Sequence, residues 1–128
     1  MIKAYTTEQN NEKISTHFKI KEFACKDGSA IIFVDDYMVQ VLEILRNKMG
    51  GKPITITSGY RTPAHNAKVG GAKYSYHMRG MAVDIRVEGK TPKEVAKALD
   101  KIVPTCGIIL YDSWVHFDTR TSKYRKEV

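Results

Sequence analysis

No stretch of the chain approaches the roughly 20 consecutive apolar residues that a membrane-spanning helix needs, so no membrane insertion is expected. Nor does the N-terminus carry the apolar middle segment of a secretory signal: Met1-Ile2-Lys3-Ala4-Tyr5 leads into the polar run Thr6 to Lys13, and no export address is visible. Cysteine is scarce. Cys25 and Cys106 are the only two, they lack C-x-x-C spacing, and a chain of 128 residues folds without a bridge, so both are expected as free thiols. Internal repeats and low-complexity segments are absent. So is any helix-turn-helix, zinc-finger or ribonucleoprotein signature, and the basic residues are spread along the chain, which argues against a nucleic-acid partner.

The composition that is present, 42% hydrophobic and 27% charged, is that of a soluble globular protein, and the length predicts one domain over residues 1–128 with loosely ordered ends. A net charge of +7 calls for an anionic partner; charge alone does not choose among nucleic acid, an acidic membrane surface and an anionic cell-wall polymer. Most of the lysines read as solvated surface.

Residues 1–15 show neither helical nor strand periodicity and read as an extended or loosely ordered lead. In His17 to Cys25, Phe18 and Ile20 alternate with lysines before Phe23 and Cys25 shift phase, which places this segment across the edge of the core; Lys26-Asp27-Gly28-Ser29 is a turn. From Val34, the apolar residues Met38, Val41, Leu42, Leu45 and Met49 recur at helical spacing, with Asp35 as the cap and Gly50-Gly51 as the stop. Pro53 to Ser58 alternates as a strand, Pro63 opens a short helix through Val69, and after the loop Ala72 to Tyr76 comes His77, followed by a second strand, Met81 to Val87. Thr91-Pro92-Lys93-Glu94 is a capping box before a helix whose apolar face is Val95, Ala98, Leu99 and Ile102. Cys106 to Leu110 and Trp114 to Thr119 then form an antiparallel hairpin through Tyr111-Asp112-Ser113, and the basic tail from Thr121 is read as frayed. This order predicts an α+β fold, with helices on one face of a small, largely antiparallel sheet.

Two histidines and an aspartate stand out against this frame. Residues two apart on a strand share a face, so if the strands of Asp84 and His116 are neighbours, those side chains converge, and His77 reaches them across a short loop. Imidazole nitrogen and carboxylate oxygen are ligands suited to zinc, and three of them leave a fourth position open, as in hydrolytic sites. Spacing alone leaves open that each is an ordinary polar residue, because His77-x6-Asp84 is less demanding than H-E-x-x-H.

The strings Ser58-Gly59-Tyr60-Arg61-Thr62-Pro63, Asn66, Gly70-Gly71, Ser75-x-His77-x-x-Gly80-x-Ala82-x-Asp84-Ile85 and Val115-His116-x-Asp118 together resemble the zinc D-Ala-D-Ala carboxypeptidase family, peptidase family M15. That family includes peptidoglycan endopeptidases and has a fold similar to lysostaphin-type enzymes and hedgehog signalling domains. The resemblance implies that His77, Asp84 and His116 bind zinc and that Arg61 contacts a substrate carbonyl or carboxylate. Several relatives carry an acidic residue three before the last ligand, where this chain has Ser113, and others a histidine where it has Trp114. The general base is therefore open. Asp118 is the first candidate for a functional carboxylate, as an orienting group or proton acceptor, and Asp112 a second if the hairpin is bulged. Ser75 reads equally as a hydrogen-bonding residue of the site and as a turn former, while His65 reads as an exposed helix residue and His17 as structural.

The function these readings imply is a zinc-dependent peptidase acting on peptidoglycan peptides at the anionic cell wall, expected as a monomer. Without a visible signal, a phage or prophage lysin released from the cytoplasm is the expected setting. The alternative is a zinc-stabilised wall-binding module that has lost catalysis.

Overall fold

The computed structural model describes residues 1–128. Strand β1 (Ile2–Thr6) pairs antiparallel with β2 (Ile31–Asp35) in a two-stranded sheet. Helix α1 (Asp36–Lys48) follows directly. Strand β3 (Ile54–Ser58), helix α2 (Pro63–Lys68), strand β4 (Ala82–Val87), helix α3 (Pro92–Ile102), and strands β5 (Gly107–Leu110), β6 (Val115–Asp118) and β7 (Tyr124–Glu127) complete the chain. The second sheet has five strands in the order β3-β4-β6-β5-β7, antiparallel except between β5 and β7.

The helices start where their caps lie. Asp35 accepts a hydrogen bond from the Tyr37 amide at 3.2 Å, Thr62 caps α2 ahead of Pro63, and Thr91 with Glu94 forms a capping box on α3. α1 and α3 bury their apolar faces with Val83, Ile85, Val115 and Phe117 in one hydrophobic cluster of 22 buried residues. Alternation along β4 and β6 turns Asp84, His116 and Asp118 to the other face of the sheet. The fold class is thus α+β with the main helices on one face, leaving the opposite face for the site.

Four segments differ from expectation. The lead of residues 1–15 is ordered: β1 gains its hydrogen bonds from β2, a partner distant in sequence that local periodicity does not reveal. The segment around Phe18 and Phe23 is not at the edge. It contains a 3₁₀ turn, Ile20–Phe23, and Phe18, Ile20, Phe23 and Cys25 are all buried. His77, which follows the expected loop, lies in a 3₁₀ turn, Tyr76–Arg79, that the sequence did not show. The tail is not frayed: β7 lies parallel to β5, and Arg125 bonds Asp100 and the carbonyls of Cys106 and Pro104.

The small sheet also braces the 3₁₀ turn that carries His77. The Asp35 amide donates to the Gly80 carbonyl at 2.7 Å, and the Thr119 hydroxyl donates to Asp35 Oδ2 at 2.6 Å. Gly80 ends the turn at φ +73°, and a Cβ there would run into the Phe33 backbone, so position and conformation both require glycine.

Candidate metal centre

Pairing of β4 with β6 sets Asp84 directly opposite His116, and pairing of β6 with β5 continues the row to Ile109. The Ser75 hydroxyl accepts the His77 amide at 3.2 Å and so starts the 3₁₀ turn, and Ser75 also lines the cleft beside His77. His77 Nε2 and His116 Nδ1 each lie 3.2 Å from Asp84 Oδ1, and the three donor atoms fall within 4.8 Å of one another. Two ligands about 2.0–2.1 Å from a tetrahedral zinc would be spaced about 3.3 Å apart, so the separation fits the ion.

The remaining nitrogens decide which lone pairs face inward. His77 Nδ1 lies 2.7 Å from the Gly59 carbonyl, which only accepts, so Nδ1 holds the proton and Nε2 is free to ligate. His116 Nε2 lies 2.7 Å from Asp118 Oδ2, so its Nδ1 is the free donor. Asp118 is fully buried, and Arg120 clamps it through Nε to Oδ1 and Nη2 to Oδ2, both at 2.7 Å. The Arg120 guanidinium in turn stacks between the rings of Tyr76 and Tyr124, at 4.5 and 4.4 Å.

Electrostatics follow this wiring. Burial alone would raise the Asp84 carboxyl, but hydrogen bonds from His116 and His77 outweigh it and hold Asp84 below the usual carboxylate range. Burial would lower His116, yet its bonds to Asp118 and Asp84 leave it above its ordinary value. Asp118 is lowered in the same way, its burial overcome by Arg120 and His116. These side chains therefore form an alternating set of charges that is already poised to offer a carboxylate to a cation.

Arg61 lies beside them. Its Nε donates to Ser58 Oγ at 3.1 Å, Nη1 to Asn66 Oδ1 at 3.2 Å and Nη2 to Asp84 Oδ2 at 3.3 Å, so the guanidinium is fixed at the Asp84 carboxylate. A cleft of about 250 Å³ opens over Arg61, His77, Asp84 and His116, bounded by the loop at Gly70-Gly71 on one side and by Tyr111 and Trp114 on the other. Those two aromatic rings stack at 4.3 Å with planes 11° apart. Burial and the Asp84 charge raise the Tyr111 hydroxyl, which keeps its proton at neutral pH.

Among the expected residues, the structure brings together His77, Asp84, His116 and Arg61, and places Asp118 behind His116 rather than in the cleft. Asp112 stays at the exposed hairpin tip because the β5–β6 ladder runs without a bulge to Leu110 opposite Val115. His65 lies outside the cluster, and His17 pairs with Glu43 at 2.6 Å. Tyr111 and Arg120 were not singled out from the sequence. Tyr111 was read only as part of a turn, although it follows Ile109 at the spacing that shares its face.

Parts of this chain are similar to known proteins. A zinc D-Ala-D-Ala carboxypeptidase of Streptomyces albus G is 48% identical over 44 residues, which is 34% of this chain and 17% of that protein. The peptidoglycan L,D-endopeptidase MepK of Escherichia coli K12 is 33% identical over 79 residues, 57% of this chain and 43% of MepK. The chain thus spans less than half the length of these relatives. The family described as Peptidase M15 matches over residues 16–118, a range that contains every side chain of the cluster, and the chain belongs to that family.

Proposed function

We propose that this chain is a zinc-dependent peptidase that hydrolyses peptide bonds of peptidoglycan, with His77 Nε2, Asp84 Oδ1 and His116 Nδ1 holding the ion. The observation that carries the reading is the convergence of those three donors with each imidazole's other nitrogen already engaged. The names of the two relatives, one a zinc carboxypeptidase and both acting on D-Ala-D-Ala or peptidoglycan substrates, support the metal and the substrate class. Bound there, zinc supplies Lewis acidity toward a carbonyl oxygen and lowers the pKa of water to about 7.

The chain's own residues do the remaining work. Arg61, held by Ser58, Asn66 and Asp84, keeps further N–H groups for a substrate carbonyl or carboxylate and offsets negative charge that develops on it. Asp118 keeps the proton on His116 Nε2 and fixes the ring; with both its oxygens engaged by Arg120, it is a positioning residue. Tyr111 presents a protonated hydroxyl at the cleft wall as a donor to the substrate. The net charge of +7 favours an anionic wall, and release onto that wall as a phage or prophage lysin, acting as a monomer, is the cellular role we assign.

A second reading has one observation in its favour: Asp84 is the only carboxylate lining the cleft, so a separate general base is lacking there. A zinc-stabilised wall-binding module without catalysis would need none. Mass spectrometry of purified muropeptides incubated with zinc-loaded protein, beside an Asp84→Ala control, separates the two. New fragments absent from the control establish the peptidase and identify its bond; no cleavage across a varied set, with zinc still bound tightly, leaves the binding module.

A further inference from the structure

The groove does not end at the metal-facing residues. On the open face of the large sheet, β4 runs on from Asp84 to Arg86, while β6 begins beside Trp114, two residues before His116. Trp114 lines the cleft on one side and a second cavity, of about 350 Å³, on the other. That cavity opens where the β4–β6 ladder stops, at Ile85 opposite Val115. Its floor includes Val87 and Val95, and its rim carries Arg86, Glu88 and Lys90.

Two cations on this rim are left without a partner beside an apolar floor. Arg61, Arg120 and Arg125 are each tied to a carboxylate, whereas Arg86 and Lys90 make no ion pair and no side-chain hydrogen bond. Arg86 is exposed and Lys90 half-buried. Glu88 is also unpaired, but it leaves the rim net positive. A planar guanidinium and an ammonium, without partners above an apolar floor, match an aliphatic group that ends in a carboxylate. The stacked Tyr111 and Trp114 rings form a fixed wall over which a chain can pass from one cavity to the other.

We propose that this second cavity is a substrate subsite that holds a carboxylate-bearing aliphatic arm of the peptide lying in the metal cleft. The substrate class rests on the peptidase reading, but occupancy of the subsite does not require turnover. Peptide stems carry carboxylates at side chains and termini, and amidation removes the charge while keeping the shape.

Trp114 is the only tryptophan, so its fluorescence reports binding directly in the full zinc-loaded chain. Short peptidoglycan stem peptides with free carboxylates, and the same peptides amidated, are titrated against the parent chain and a variant carrying Arg86→Gln and Lys90→Gln. One charge-assisted contact predicts about tenfold tighter binding of the free acid by the parent, and near parity in the variant. A second variant, Lys97→Gln with Lys101→Gln, removes the same charge from the groove between α1 and α3 and keeps the preference. Equal affinity of the parent for both peptides, binding of neither, or a preference that survives in the Arg86 and Lys90 variant overturns the subsite. Muropeptide cleavage by the same preparations separates the two proposals: cleavage without the preference removes the subsite alone, and the preference without cleavage removes the peptidase alone.

Discussion

His116 has almost no rotational choice, because Asp118 Oδ2 and Asp84 Oδ1 hold its two nitrogens from opposite sides. Asp118→Asn keeps the volume but removes the charge, and the amide can turn its NH₂ toward Nε2 and reverse the tautomer. Zinc affinity is expected to fall about 10–100-fold, measured by competition with a chromophoric chelator. Proton linkage gives a second expectation. Without metal, the folded-state pKa of His116 lies above its ordinary 6.5, so its pairing stabilises the metal-free protein below that pH and is lost as pH rises through the folded value. Zinc must displace that proton, so affinity should rise with pH above 6.5 and level off once His116 is neutral, as calorimetric titration across pH would record. For Arg61→Lys the ammonium cannot reproduce the three-way fork; turnover of muropeptides is expected to fall about 10²-fold with zinc stoichiometry unchanged. At this scale the convergence of His77, Asp84, His116 and Arg61 was legible because their types and order match a known pattern. The Gly59 carbonyl and Arg120 were not, since a backbone oxygen and a clamped guanidinium leave no pattern of their own.

At the scale of elements, the short strands explain both what was legible and what was missed. α1 and α3 show themselves through helical spacing and caps, and β3 and β4 through alternation. β1 and β7 are mostly exposed, and their order comes from partners elsewhere in the chain, Ile31–Asp35 and Gly107–Leu110. The consequence reaches the site, because Tyr124 on β7 covers the Arg120 that clamps Asp118. β5 contributes too: Gly107 sits opposite Asp118, and a Cβ there would overlap the Asp118 carboxylate and the Arg120 guanidinium. Gly107→Ala is therefore expected to weaken zinc binding about tenfold while far-UV circular dichroism stays that of the parent. Unchanged affinity would mean that the clamp can shift without turning His116.

For the whole molecule, the hydrophobic cluster and the side chains of Asp84 and His116 occupy opposite faces of one sheet, so the core is built apart from the proposed zinc site. Chelated protein is expected to remain folded. Zinc at about 100 times its dissociation constant should add about 2.7 kcal/mol, and a chelator should lower the midpoint of thermal unfolding by about 10 °C. Loss of all cooperative unfolding on chelation would refute this separation. The fold class was legible from the succession of periodicities, whereas the strand order β3-β4-β6-β5-β7 was not, because pairings between distant segments set it. Those pairings also bear on the proposed ion. Asp84 and His116 meet only when β4 and β6 are zipped residue for residue as found; a slip of one position sends one of them through to the opposite side of the sheet. During refolding, tight zinc capture is expected only after that zipper has closed correctly, so its uptake would serve as a clock for the step.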